Sequence, residues 1–463
     1  GKNHETIWIN CRGRVLSDPE DGSPRYLVGC INEIGAKQKA DNVSGLLGEY
    51  SLKIFYESRS PKLPQGFLLR IGIDDFKNIN ESHGNEYGDY ILRRTAQCIE
   101  ENIGPEQSLF HIVADEFAVV DFSGGSVQQA EDLFHEIKKS IYAFIEQNQY
   151  KAVYTVSGGI VKNGDVDNSF ENAMKLSEFA LSEAKERGKN SCYVFEEEEY
   201  EDYLKSRTLL RQLHHAVNNG FEGFEAYFQP LVNAANGELT GAETLLRFHS
   251  PEGGMVSPGE FIPILEESGL IIPVGRWVLR QALDACREWQ KILPEFKVNV
   301  NLSYVQVLKS RVLTDVRRIV DEFGVKPSSV CIELTESGYL EENERFDKVW
   351  NGLKEYGVLL ALDDFGTGYS NLRCLSDLKP AYIKIDRSFT LKALNREYEY
   401  RLLNHIVEMS HSLGLHVCVE GIETEGELTK AKQTEPDYIQ GFLFGKPCSR
   451  AEFTQKFFTK QAG

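Results

Sequence analysis

Leu359-Leu-Ala-Leu-Asp363-Asp364-Phe-Gly366-Thr-Gly-Tyr-Ser370 decides the fold of the larger half of this 463-residue chain. A short apolar run ends in two adjacent acids and a glycine-rich turn, the pattern of a buried strand meeting a loop. Taken alone, the Asp-Asp-Phe-Gly-Thr-Gly stretch is an ordinary Gly-rich turn. Outward from it the same event recurs. Runs at 224–229, 240–243, 298–301, 330–333, 359–363, 382–384, 417–420 and 438–440 each close on a polar or charged residue and lead into a helix-length segment. Eight such runs predict an α/β architecture, a TIM-type (β/α)8 barrel, whose reacting groups stand at the C-terminal ends of its strands. One acid after a strand is usually a cap or a turn residue. Capping does not explain eight polar strand ends.

Composition bounds the function. The chain carries 51 Lys+Arg against 70 Asp+Glu, a net charge of −19, which argues against a nucleic-acid polymer as partner. It does not exclude an anionic small molecule, because carboxylates can gather divalent cations that reverse the local sign. With 41% hydrophobic and 11% aromatic residues there is material for sizeable cores, so wholesale disorder is excluded. Nine cysteines stand singly, with no Cys-x-x-Cys pair, as reduced thiols do in a cytosolic protein. No run approaches the roughly 18 apolar residues of a membrane span, and nothing resembles a signal peptide. The expectation is a soluble, cytosolic chain, with an upstream sensor or membrane-spanning segment left open.

Strand-like segments at 6–15 and 25–34 flank a turn-rich stretch, Ser17-Asp-Pro-Glu-Asp-Gly-Ser-Pro24. Two strands cannot stand as a domain. The pair resembles the last hairpin of a PAS sensor domain, so residues 1–35 are expected to be a PAS-like remnant. Between 36 and 197, β-rich runs at 67–73, 109–111 with 117–122, and 154–161 alternate with helical patterns at 87–101, 128–148 and 172–187. That alternation predicts an α/β sandwich. A polar helix at 198–220 reads as a linker, and the barrel domain follows over 221–463.

The barrel's strand ends collect Gln229, Glu243, Asn301, Glu333, Asp363, Asp364, Lys384, Glu420 and Gln440. Hard oxygen donors without His or Cys suit Mg²⁺ or Mn²⁺. Carboxylates shared between two such ions make a site for phosphodiester hydrolysis. A lysine beside them could orient or deprotonate the attacking water, its pKa lowered by the positive neighbours. Taken alone, Lys384 reads as a surface lysine.

Glu243-Thr-Leu-Leu-Arg247, Asn299-Val-Asn-Leu-Ser303, Glu333-Leu-Thr-Glu336, Asp363-Asp-Phe-Gly-Thr-Gly-Tyr-Ser370, Lys384-Ile-Asp386, Glu420-Gly-Ile-Glu423 and Gln440-Gly-Phe442 resemble, in order, the motifs of the EAL family of cyclic di-GMP phosphodiesterases, over about residues 204–455. The signature triplet is Glu-Thr-Leu instead of Glu-Ala-Leu and keeps its acid. The resemblance implies two cations held by Glu243, Asn301, Glu333, Asp363, Asp364 and Glu420, with Lys384 activating water. It implies that Gln229, Arg247, Asp386 and Gln440 hold the dinucleotide. Glu336 would anchor the 363–370 loop, which positions the metals and takes part in homodimerisation.

Asp41-Asn-Val-Ser-Gly-Leu-Leu47, Asp74-Asp-Phe-Lys-Asn-Ile-Asn80, Gly88-Asp89, Asp115-Glu-Phe117 and Ala184-Lys-Glu-Arg-Gly-Lys-Asn190 resemble the GGDEF family of diguanylate cyclases over about residues 38–196. The two signature glycines are Val113 and Ala114, and the β-branched valine is expected to crowd the phosphates and restrict the turn. Gly72 stands where the resemblance places the first metal-binding Asp. The inhibitory Arg-x-x-Asp reads Gly104-Pro-Glu-Gln107. Asn80, Asp89, Asp115, Lys185 and Lys189 match nucleotide-contacting positions, so one expectation is a degenerate domain that binds GTP as a regulator without cyclising it, and the competing one is a purely structural dimerisation or spacer module. A competing reading makes the barrel a non-catalytic cyclic di-GMP receptor. Receptors of that kind usually lack metal ligands, and here none is missing.

Overall fold

The computed structural model describes residues 8–17, 24–34, 40–59, 65–149, 151–165, 169–335, 344–366 and 372–459. Its contacts divide the chain into two units, Gly1–Tyr203 and Leu204–Gly463. Trp8–Ser17 and Pro24–Ile34 form an antiparallel pair near the two expected strand segments.

In the first unit a five-stranded sheet runs in the order Gln107–His111, Glu116–Asp121, Phe67–Ile73, Val156–Lys162, Cys192–Val194. Every pairing is antiparallel except the last. Apolar side chains leave both faces. Phe67, Leu69 and Ile71 pack under helices Asn85–Asn102 and Val127–Gln147, while Leu68, Ala118 and Val120 pack with helices Glu49–Arg59 and Phe170–Glu186. This is the expected sandwich. Helices Glu49–Arg59 and Phe76–His83 and strand Cys192–Val194 were not legible in the periodicity.

Helix Glu197–Asn218 covers the predicted linker. Near its start, Tyr200 and Tyr203 ring Phe179 within the first unit at 5.1 Å each. Near its end, Leu213 and Ala216 are buried in the core of the second.

The second unit is the barrel: β1 (Phe224–Asn233), β2 (Leu239–Ser250), β3 (Lys297–Asn301), β4 (Val330–Thr335), β5 (Leu359–Phe365), β6 (Tyr382–Ile385), β7 (His416–Val419) and β8 (Tyr438–Gln440). The sheet closes because β1 pairs with both β2 and β8. One feature corrects the expected pattern. β1 runs antiparallel to both neighbours, and a tight turn at Asn233–Gly237, not a helix, joins it to β2. Gln229 therefore lies inside its strand, opposite Glu243, and not at a C-terminal end. Outside the barrel, Trp289 and Phe453 pack on Phe228 of β1, Phe296 and Phe458 pack on Trp289, and the Trp289 indole N–H donates to Thr454 Oγ1 at 2.8 Å.

Candidate active site

The parallel strands β2 to β7 deliver their ends to one rim. Strand alternation points Glu243, Glu333 and Lys384 inward, and all three are buried. At β5 the alternation is broken on purpose. Leu362 opposes Ile383 and Phe365 opposes Ile385, leaving Asp363 and Asp364 against Lys384 alone. This is a β-bulge, and Asp364 carries its turn at φ 57. The bulge lets two consecutive acids serve one site, which a regular strand would point to opposite faces.

Lys384, 2% exposed, lies among four carboxylates: Glu420 at 2.8 Å, Glu333 at 3.0 Å, and Glu243 and Asp363 at 3.2 Å each. Burial opposes the ammonium, but the carboxylates of Asp363, Glu243, Glu333 and Glu420 outweigh it and hold the lysine well above its ordinary range. The carboxylates compete for that one charge. Burial pushes Glu333 well above the usual range and Glu420 up to about 8, and burial with neighbouring Asp363 takes Asp364 to about 6. Burial raises Glu243 too, but Lys384, Gln440 and Asn301 together bring it below its ordinary value.

Amides complete the floor. Asn301 Nδ2 donates to Glu243 Oε1 at 2.9 Å, and Gln440 Nε2 donates to Glu243 Oε2 at 2.7 Å and to Gln229 Oε1 at 3.1 Å. Asn299 Nδ2 donates to Glu333 Oε1 at 2.7 Å. Asn299 stands in the Asn299-Val-Asn-Leu-Ser303 motif, where its inward parity with Asn301 is the signal that the sequence offers.

Above these groups opens a cleft of about 250 Å³ lined by Gln229, Glu243, Asp363, Asp364, Lys384, Arg387, Glu420, Glu423, Gln440 and Phe442. Two expected ligand-holding residues stand elsewhere. Asp386 caps helix Arg387–Asn395, accepting from Ser388 N at 2.7 Å. Arg247, half-buried, donates to the Leu246 carbonyl and lies 5.5 Å from the Tyr227 ring. Glu336 and the 367–370 part of the loop lie outside the described residues.

The donor set fits divalent cations. One oxygen each from Glu243, Glu333 and Asp363 lie within 4.8 Å of one another. Buried Asp363 Oδ1 accepts no hydrogen bond beyond its ion pair with Lys384, and buried Gln440 Oε1 has none. Five acids share one ammonium there, an imbalance that hard cations would relieve.

In the first unit, the turn between strands Gln107–His111 and Glu116–Asp121 forms despite Val113. Ala114 takes the left-handed conformation at φ 50, while Val113 is 56% exposed. The valine therefore does not prevent the turn. A Cβ at Gly72 would meet Lys185 Nζ at 2.9 Å, so the lysine ammonium lies where a side chain at this position would begin. Asp115 is raised, chiefly by burial, with Lys185 opposing. Lys189 is held by Asp75 at 2.8 Å. Asp74 accepts from Thr155, Ser157 and the Asn190 amide. Asn80 packs against Gly88, beside Asp89.

An acidic, lysine-centred barrel preceded by a five-stranded α/β unit makes a two-domain architecture, and comparison with known proteins gives it a family. The EAL domain profile matches residues 210–447, and the profile described as diguanylate cyclase, GGDEF domain, matches residues 51–191. The chain belongs to the EAL family, in tandem with a GGDEF domain. It is similar to the cyclic di-GMP phosphodiesterase PdeR of Escherichia coli, 29% identical over 98% of this chain and 67% of that protein. It is also similar to the bifunctional diguanylate cyclase/cyclic di-GMP phosphodiesterase MucR of Pseudomonas aeruginosa, 29% identical over 82% of this chain and 55% of that one. The solved PaMucR phosphodiesterase in complex with c-di-GMP is 32% identical with a TM-score of 0.50, covering 53% of this chain and 99% of that one. The chain spans about half the length of several curated relatives it matches. Among the described residues, no helix is long and apolar enough to cross a membrane.

Proposed function

We propose that the barrel hydrolyses cyclic di-GMP to linear pGpG. The observation that carries this reading is the full complement of acids around buried Lys384 at one rim of the barrel. Two divalent cations, Mg²⁺ or Mn²⁺, held by Glu243, Asn301, Glu333, Asp363, Asp364 and Glu420, would neutralise phosphoryl charge, acidify water and offset the field that keeps Lys384 protonated. Lys384 Nζ then holds the attacking water and takes its proton. Gln229 and Gln440, joined to each other, with Gln440 also bound to Glu243, hold the dinucleotide in the cleft. Asn301 keeps the Glu243 carboxylate turned toward the centre.

In the same reading the first unit does not cyclise GTP, since Gly72 supplies no carboxylate and Lys185 reaches toward its place. Asn80, Asp89, Asp115, Lys185 and Lys189 remain as a regulatory GTP site. The test is to incubate the chain with cyclic di-GMP, or with GTP, in Mn²⁺ and to resolve the nucleotides by chromatography. Linear product from cyclic di-GMP is expected. Binding without turnover would replace the hydrolase by a receptor, and cyclic product from GTP would overturn the reading of the first unit.

A further inference from the structure

Strand β3 carries two inward carboxamides, Asn299 and Asn301, that reach diagonally. In the register Asn299 sits opposite Glu243 and Asn301 opposite Glu333, yet Asn301 donates to Glu243 and Asn299 to Glu333. Each glutamate is therefore tethered from the strand between them. We infer that Asn299 is a positioning residue for the cation site, acting through Glu333; this rests on the hydrolase reading of the barrel.

Glu333 is fully buried, with Oε2 held by Lys384 at 3.0 Å and Oε1 by Asn299 at 2.7 Å. Both oxygens are thus fixed, and a glutamate's terminal torsion, otherwise broad, is locked. The choice of donor matters. A second ammonium or a proton on Oε1 would cancel the negative charge that a cation needs, whereas a neutral amide satisfies the oxygen and leaves the charge in place. Asn299 itself is 7% exposed and lines a small enclosed space beneath Lys384, with Cys331, Tyr382 and Cys418, not the open cleft. It does not face the substrate. Its loss is therefore expected to weaken metal binding while sparing substrate affinity.

The experiment is Mn²⁺ titration by calorimetry on the whole chain, parent against Asn299→Leu, which removes the donor at nearly constant bulk. The expected result is a Kd for Mn²⁺ weakened about 10–100-fold, the usual consequence of losing a ligand's orienting partner. In cyclic di-GMP turnover, kcat at limiting Mn²⁺ falls correspondingly, KM changes less than about twofold, and excess Mn²⁺ restores much of the rate. If Asn299→Leu does not fold, Asn299→Ser carries the same expectation, because its hydroxyl is too short to reach Glu333. A folded variant with Mn²⁺ affinity within twofold of the parent, or one in which only KM rises, overturns the inference alone. A parent that binds no Mn²⁺ overturns the hydrolase reading and this inference with it.

Discussion

Lysine read by itself belongs on the surface, because desolvating an ammonium costs several kcal/mol unless partners offset it. Lys384 is buried because four carboxylates from β2, β4, β5 and the end of β7 converge on it. That convergence was legible only from the ordered set of strand ends, since no single position announces it. Parity with Asn301 places Asn299 inward, but one asparagine inside a strand does not announce its partner Glu333. Lys384→Ala is expected to lower turnover by about 10²–10⁴-fold, measured as kcat at saturating cyclic di-GMP; a variant at the parent rate would remove the lysine from the mechanism. The neighbouring thiols Cys331 and Cys418 are buried and, chiefly for that reason, held well above the usual thiol range. They should resist maleimide in the native chain and react on denaturation, as peptide mass spectrometry would show. Native labelling at either position would mean the barrel interior opens.

At the level of elements, the parallel strands were visible because each pairs a short apolar run with a polar end. The direction of β1 was not, because a hairpin and a crossover differ in the connection rather than in the strand. The bulge at Asp363 and Asp364 was likewise hidden: two adjacent acids read as a turn until the register shows both opposite Lys384. Below the rim, Asp437 ties elements together, accepting from the Val417 amide and His416 at 2.8 Å and from His411 at 2.9 Å. Burial works against its charge, but these donors hold its pKa below the ordinary value. A carboxylate lowered on folding contributes stability above its unfolded pKa of about 4 and loses it as pH falls through the folded value. Asp437→Asn should therefore lower the barrel's Tm near neutrality by about 2–4 °C, corresponding to about 1 kcal/mol after allowing for partial exposure. The difference should shrink below about pH 4. A constant difference down to pH 2.5 in thermal melts would show that charge is not the cause.

For the whole molecule, the charge of −19 first argued only against a polymeric anion. Several of those acids converge on Lys384 in the barrel, and under the proposed function the cations they gather turn an acidic protein into a receiver of phosphate. Two units with separate cores also need not melt together. Mn²⁺ at about 100 times its Kd should stabilise the folded barrel by about 2.7 kcal/mol. Calorimetric scans should show the barrel transition rising with Mn²⁺ and falling back with EDTA, with no such response in Glu333→Gln. An equal response in parent and variant would place the cation elsewhere. The central claim is tested most directly by the rate at which the parent and Glu243→Ala convert cyclic di-GMP to pGpG in saturating Mn²⁺. Steady linear product from the parent and near loss of it in the variant is the predicted result; equal rates, or no product from a folded, Mn²⁺-loaded parent, would contradict it.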